Sequence, residues 1–221
     1  NVGRYNFRIM EIVANYVSEY IRSLEQSKEP VLIEIEEFAI KNKVPIIEVE
    51  VARFLEFLVM LKKPKRILEI GTAIGYSSII MNRAYPDSNI TTIEIDEKNF
   101  LKAKEFIKKA NCEKNIDIIY ADANDALDFI TDKYDMIFMD AAKGQYMSFF
   151  EKSIERLNQG GILISDNILF RGLVAKEKNN IRRKNTIVRR LKEFLRIITN
   201  SDEFSTTIIP IDDGMAICYK K

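Results

Sequence analysis

The apolar positions change period once along the chain. Up to about position 62 they recur at helical spacing. Met10, Val13, Val17, Ile21 and Leu24 form one stripe, and Ile47, Val51, Phe54, Leu55 and Leu58 form another. Pro30 and Pro45 divide this region into separate helices. From Lys65 onward, short apolar runs at 66–70, 90–95, 116–120, 135–139 and 162–165 alternate with amphipathic stretches near 76–84, 97–110, 123–130 and 146–157. Strands of this length separated by helices require right-handed crossovers and a mostly parallel sheet covered on both faces. A further helix is expected over 179–199, with Ile187, Leu191, Phe194, Leu195 and Ile198 on one side. Strands at 205–209 and 215–219 follow it. Pro210-Ile-Asp-Asp-Gly214 is too short a link for anything but an antiparallel hairpin.

The predicted fold class is therefore α/β. One doubly wound domain spans residues 1–221, with a mostly parallel seven-stranded sheet and an antiparallel C-terminal strand. Residues 1–62 form an N-terminal helical appendage, and 63–221 form the α/β core. Composition fits this picture: of 221 residues, 47% are hydrophobic and 30% charged, with a net charge of +1. No apolar run approaches the ~18 residues of a membrane helix. Cys112 and Cys218 lie in no CxxC arrangement, and no leader pattern opens the sequence, so a cytoplasmic protein with reduced thiols is expected.

There is no histidine, which removes imidazole bases and imidazole metal sites. Chemistry then falls to the polar residues at the carboxyl ends of the parallel strands, where open α/β sheets bind ligands. Those ends carry Glu69, Glu94, Asp122, Asp140 and Asp166-Asn167. Asp and Asn there also serve as helix N-caps, but five acids on one edge form a crevice that a cationic ligand would suit. The first run leads into Glu69-Ile-Gly71-Thr-Ala-Ile-Gly75-Tyr-Ser77, whose glycines either let a ligand approach the backbone or simply make a tight turn. Glu94 lies 23 residues after Gly71, the usual place for a carboxylate that holds a ribose diol. Asp122 can accept from an adenine amino group. A nucleoside with a cationic rather than a phosphorylated tail fits, and S-adenosylmethionine is such a molecule.

Asp140, Asp166 and Asn167 offer two carboxylates and an amide oxygen at neighbouring strand ends, a hard donor set suited to Mg²⁺ and not to Zn²⁺. Lys143, three residues past Asp140, is either a base for a substrate hydroxyl or the partner of one of these acids.

These residues resemble the Mg²⁺-dependent class I S-adenosylmethionine O-methyltransferases of the catechol and caffeoyl-CoA type. The resemblance runs from Ile47 to the C-terminus. It is carried by Leu68-Glu69-Ile-Gly71-Thr-Ala-Ile-Gly75-Tyr76-Ser77, Ile93-Glu94, Met139-Asp140-Ala-Ala-Lys143 and Asp166-Asn167. It implies a Rossmann-like fold in which Glu69, Gly71, Ser77, Glu94, Asp122, Ala123 and Asp140 hold the cofactor and Ile47 packs over its methionine end. It further implies Mg²⁺ on Asp140, Asp166 and Asn167, with Lys143 as base. The stretches 42–46, 68–76 and 209–217 look most like a bacterial group that includes the tRNA 5-hydroxyuridine methyltransferases, which act at the wobble position. The other substrate class open to the family is a small catechol or a phenolic acyl-CoA. Family members often form homodimers.

Charge is uneven along the chain. Residues 171–196 hold ten Lys or Arg against two Glu, a net of +8 that leaves −7 for the rest. Arg171, Arg182, Arg183 and Lys184 in this segment are the expected tRNA contacts, the other reading being a solvated helix face. Phe170 or Tyr146 can stack on a base or belong to the core.

Overall fold

A computed structural model describes residues 12–24, 29–176 and 185–221. Three helices, α1 (Asn15–Ser23), α2 (Pro30–Asn42) and α3 (Val49–Lys62), precede the first strand. Then β1 (Arg66–Ile70), β2 (Asn89–Glu94), β3 (Ile116–Tyr120), β4 (Tyr134–Met139) and β5 (Leu157–Ser165) alternate with α4 (Tyr76–Ala84), α5 (Glu97–Lys109), α6 (Ala123–Phe129) and α7 (Tyr146–Ser153). Helix α8 (Asn185–Asn200) and the hairpin β6 (Phe204–Ile209) and β7 (Met215–Lys220) complete the described fold.

The seven strands form one sheet in the order β3-β2-β1-β4-β5-β7-β6. The β1–β5 pairs are parallel, whereas β7 runs antiparallel to both β5 and β6. Strands are added outward from β1 to β3 on one side and from β4 to β5 on the other, so the strand order reverses between β1 and β4, the switch point at which such sheets open a crevice.

Strand alternation sorts the core into two layers. Ile67, Met136 and Phe138 face a cluster with Ile35, Val51, Leu55, Val59, Ile79 and Phe106. Leu68, Ile70, Ile137 and Met139 face the other way, onto Leu127, Phe149, Leu191 and Phe194. Helices α2 and α3 thus share their core with β1 and β4. Pro30 opens α2 at its first turn, where its missing N–H is no loss. Helix α1 buries none of its residues.

Strand β5 begins at Leu157 rather than at 162, as Gly160-Gly161 carries a register shift against β4. Both cysteines are free and buried. Among the described residues no helix is long and apolar enough to cross a membrane.

Candidate active site

At the carboxyl edge of the sheet a cavity of about 630 Å³ opens over the switch point. Gly71, Ala73, Glu94, Asp122, Ala123 and Asp140 line it, and Ile47, from the link between α2 and α3, closes one side. Gly71 is required here. Its φ is +103°, and a Cβ would stand 2.0 Å from the carbonyl oxygen of Asp140. Glu94 is held at the end of β2 by two backbone donors, Ala73 N–H to Oε2 and Asp96 N–H to Oε1, both at 2.7 Å. Burial raises its pKa, and those donors oppose the rise. Asp122 caps α6, accepting from Asn124 N–H at 2.8 Å, and lies in the cavity wall.

Glu69 and Ser77 are placed differently from the expectation. Glu69 sits one residue short of the end of β1, so its side chain enters a face of the sheet instead of leaving the edge. It is wholly buried and accepts from the hydroxyls of Ser77, Ser78 and Thr92. Burial raises its pKa against these three bonds. Neither Glu69 nor Ser77 is part of the cavity wall. The pair instead locks the start of α4 to β1 and β2, which holds the Gly71–Gly75 loop in place.

Asp140, Asp166 and Asn167 do converge. The amide nitrogen of Asn167 lies 3.0 Å from Asp166 Oδ2 and 3.4 Å from Asp140 Oδ1. Asn167 adopts a left-handed φ of 59°, which turns its side chain back toward the strand ends. Asp166 is fully buried, and burial, then the Asp140 charge, pushes it up to about 8. Burial likewise raises Asp140, while Lys143 opposes the rise. Two carboxylates forced together this way gain from a divalent cation, and turning the Asn167 amide over would present a third hard oxygen. The residues present therefore fit Mg²⁺. Among the described residues no three acidic or cysteine side chains meet, so this donor set is two carboxylates and an amide.

The Lys143 ammonium pairs with Asp213 at 3.2 Å and lies over the Phe170 ring, 5.4 Å from its centroid. Its partner is thus an acid of the hairpin turn and not one at a parallel strand end. Tyr146 is core: it is buried and donates to the Asp166 carbonyl at 2.8 Å.

A second cavity, of about 360 Å³, adjoins the first and shares Glu48, Asn167, Arg171 and Asp212 with it. Ile12, Val13 and residues of α1 form its outer wall. Arg22 ties α1 down, reaching Glu50 at 2.8 and 3.0 Å and Glu48 at 2.8 Å.

The family model for O-methyltransferases matches residues 22–221. The chain belongs to the O-methyltransferase family. It is accordingly an S-adenosylmethionine-dependent methyltransferase of the caffeoyl-CoA and catechol type. A catechol O-methyltransferase of Niastella koreensis is 29% identical to it, covering 98% of this chain and 100% of the relative. A Staphylococcus aureus structure provisionally described as a caffeoyl-CoA O-methyltransferase is 33% identical, covers 94% of this chain and 100% of its own, and superposes with a TM-score of 0.87. A Bacillus cereus O-methyltransferase solved in complex with SAH is 25% identical over 93% of this chain and 97% of its own, at a TM-score of 0.83.

In this methyltransferase, sequence reasoning missed Asp212, Asp213, Glu48 and the Arg22 clamp. The hairpin acids carried a usable signal. An antiparallel strand beside β5 starts where β5 ends, and Ser165 does pair with Ala216, so the turn before β7 must sit at the active edge. Of the four basic residues expected to contact tRNA, Arg171 lies in the walls of both cavities. Arg182, Arg183 and Lys184 lie outside the described residues. On α8, Arg189, Arg190, Lys192 and Arg196 are exposed, and Arg190 donates to the Gly144 carbonyl at 2.8 Å, next to Lys143.

Proposed function

We propose that this enzyme is an Mg²⁺-dependent O-methyltransferase that converts 5-hydroxyuridine at the tRNA wobble position to 5-methoxyuridine. The observation that carries this reading is the convergence of Asp140, Asp166 and Asn167 near Lys143 at the larger cavity, with Arg171 in its wall and Arg190 of α8 bonded to Gly144 beside Lys143. Glu94 and Asp122 would accept from the ribose diol and the adenine amino group of S-adenosylmethionine, and Ile47 would cover its methionine end. Asp140, Asp166 and Asn167 would hold Mg²⁺, which when bound supplies the positive charge that makes an acceptor hydroxyl more acidic. Lys143 would act as base in its neutral form, receiving the acceptor's proton at Nζ and so returning to the ammonium that pairs with Asp213. The acceptor oxygen then bonds to the methyl carbon as the carbon–sulfur bond breaks. Opposite charges cancel in that step, which a dry site with fixed groups favours.

Two features support RNA as the acceptor. The 5-hydroxyl and O4 of the base are adjacent oxygens that suit a hard-oxygen metal site, and a wobble base needs only local unstacking to enter. Phosphates flanking that base would meet Arg171 and the exposed face of α8. The second reading is a small catechol or phenolic acyl-CoA, favoured by what the relatives are named for. Homodimerisation is part of the proposal as well, with exposed Ile40, Phe57 and Leu61 of α2 and α3 as the contact face; size-exclusion chromatography with light scattering tests it.

The deciding experiment is transfer of labelled methyl to tRNA bearing 5-hydroxyuridine and, separately, to catechol, with and without Mg²⁺. The expected result is metal-dependent label at the wobble uridine. Label in catechol alone would establish the second reading, and equal label after chelation would remove Mg²⁺ from the scheme.

A further inference from the structure

Nearly every acid around the two cavities is already committed. Glu94 takes two backbone donors, Asp122 caps α6, Asp140 and Asp166 share the Asn167 amide, and Arg22 occupies Glu48 and Glu50. Asp213 pairs with Lys143 and accepts from the Arg171 N–H. Asp212 is different. Among the described residues its carboxylate is bonded to the N–H of its neighbour Asp213, with no salt bridge to a cation, although the Lys143 charge acts on it. Yet Asp212 lines both cavities. It thus shares one wall with Asp140, Lys143 and Asn167 and the other with Arg22 and Ser18 of α1. The backbone beneath it is fixed. Asp212 holds a left-handed φ of 43°, and the turn is pinned to the segment after β5 by Ile168 N–H to Gly214 O and Leu169 N–H to Asp213 O, both 2.9 Å. Burial raises its pKa, helped by the Asp213 and Glu50 charges and opposed by the Asp213 N–H and the Lys143 charge.

We propose that Asp212 determines acceptor specificity by accepting the ring N–H that follows the paired oxygens of a hydroxylated pyrimidinedione, thereby selecting such a ring over a catechol. The inference rests on the function proposed above. Around the 5-hydroxyuracil ring the order is hydroxyl, carbonyl, N3–H. With the two oxygens toward Asp140, Asp166 and Asn167, the N3–H is the next group presented to the wall, and a carboxylate there completes its hydrogen bonding. A catechol offers a C–H at that position and leaves a desolvated carboxylate without a donor. Sites built to bond a substrate N–H discriminate strongly against analogues that lack it.

The test compares three acceptors: an anticodon stem-loop with 5-hydroxyuridine at the wobble position, the same stem-loop with N3-methyl-5-hydroxyuridine, and catechol. For the unmodified enzyme, kcat/KM is expected to favour N3–H over N3-methyl by about 100-fold. In Asp212→Ala that ratio falls to within about threefold of unity, and the preference for the stem-loop over catechol falls with it. Asp212→Asn, whose amide oxygen still accepts, keeps an intermediate ratio. Each ratio is taken on one preparation, so partial misfolding of a variant does not move it. An unchanged ratio in Asp212→Ala overturns the role of Asp212 while leaving the tRNA reading intact. Methylation of catechol with none of either stem-loop overturns both.

Discussion

Replacing Gly71 by alanine tests the claim that the site depends on a close approach between the ends of β1 and β4. The new Cβ would stand 2.0 Å from the Asp140 carbonyl oxygen and 2.9 Å from its carbonyl carbon. An ordinary carbon–oxygen contact is about 3.3 Å, so the two segments must part by roughly 1 Å. They are not free to do so. Asp140 N–H is bonded to the Ile70 carbonyl at 3.0 Å, and Gly71 N–H to that of Ile93 at 3.1 Å. Holding alanine at positive φ costs about 1–2 kcal/mol, and forcing packed backbone apart about 1–3 more, a total of roughly 2–5 kcal/mol. For a chain of this size that lowers the melting temperature by roughly 5–15 °C. Gly144→Ala is the matched control, because its nearest neighbour, an Arg190 guanidinium nitrogen, is 3.6 Å away. Differential scanning calorimetry of both variants decides the matter, with calorimetric titration of S-adenosylhomocysteine as a second readout. The reasoning is refuted if Gly71→Ala melts within about 2 °C of the unmodified protein, or if Gly144→Ala falls as far.

Three other perturbations follow from the site. Glu69 has a folded-state pKa above its ordinary value, so the native state binds the extra proton. Stability therefore declines as pH rises from the ordinary glutamate range toward the raised value, and Glu69→Gln should flatten that decline in melting curves taken from pH 5 to 9. Arg22→Ala leaves Glu50, whose side chain is only 8% exposed, without its cation and costs about 1–3 kcal/mol. Because α1 buries nothing, hydrogen exchange should rise across α1 well before it rises in β1, and the acceptor KM should increase. Asp213→Asn keeps an acceptor for the Arg171 N–H but removes the counter-charge of Lys143; kcat should fall by about tenfold with little change in cofactor affinity.

Most of the fold was legible because β1, β2, β4 and β5 carry apolar residues on both faces, as inner strands of a covered sheet do, while β3 closes one edge. The positions of Glu94, Asp122, Asp140 and Asn167 followed from the rule that places ligands at carboxyl ends. Glu69 was misplaced by a single step of strand alternation: one residue short of the end, a side chain joins a packed face. The hairpin acids were overlooked because Asp-Asp-Gly reads locally as a turn, and only the pairing of β7 with β5 gives that turn an address. The Arg22 clamp joins residues 28 apart through side chains alone, a contact that neither periodicity nor spacing encodes.

The pairing of β7 with β5 also bears on the order in which the enzyme comes into being. During synthesis Asp140, Lys143, Asp166 and Asn167 all emerge before the hairpin that supplies Asp212 and Asp213. A chain extended only through β5 would hold Lys143 without its Asp213 counter-ion and a cavity without the wall that Asp212 supplies. The wall that carries Asp212 is complete only once β7 lies between β5 and β6. The last strand to be made is thus the one that brings the turn of Asp212 and Asp213 to the active edge.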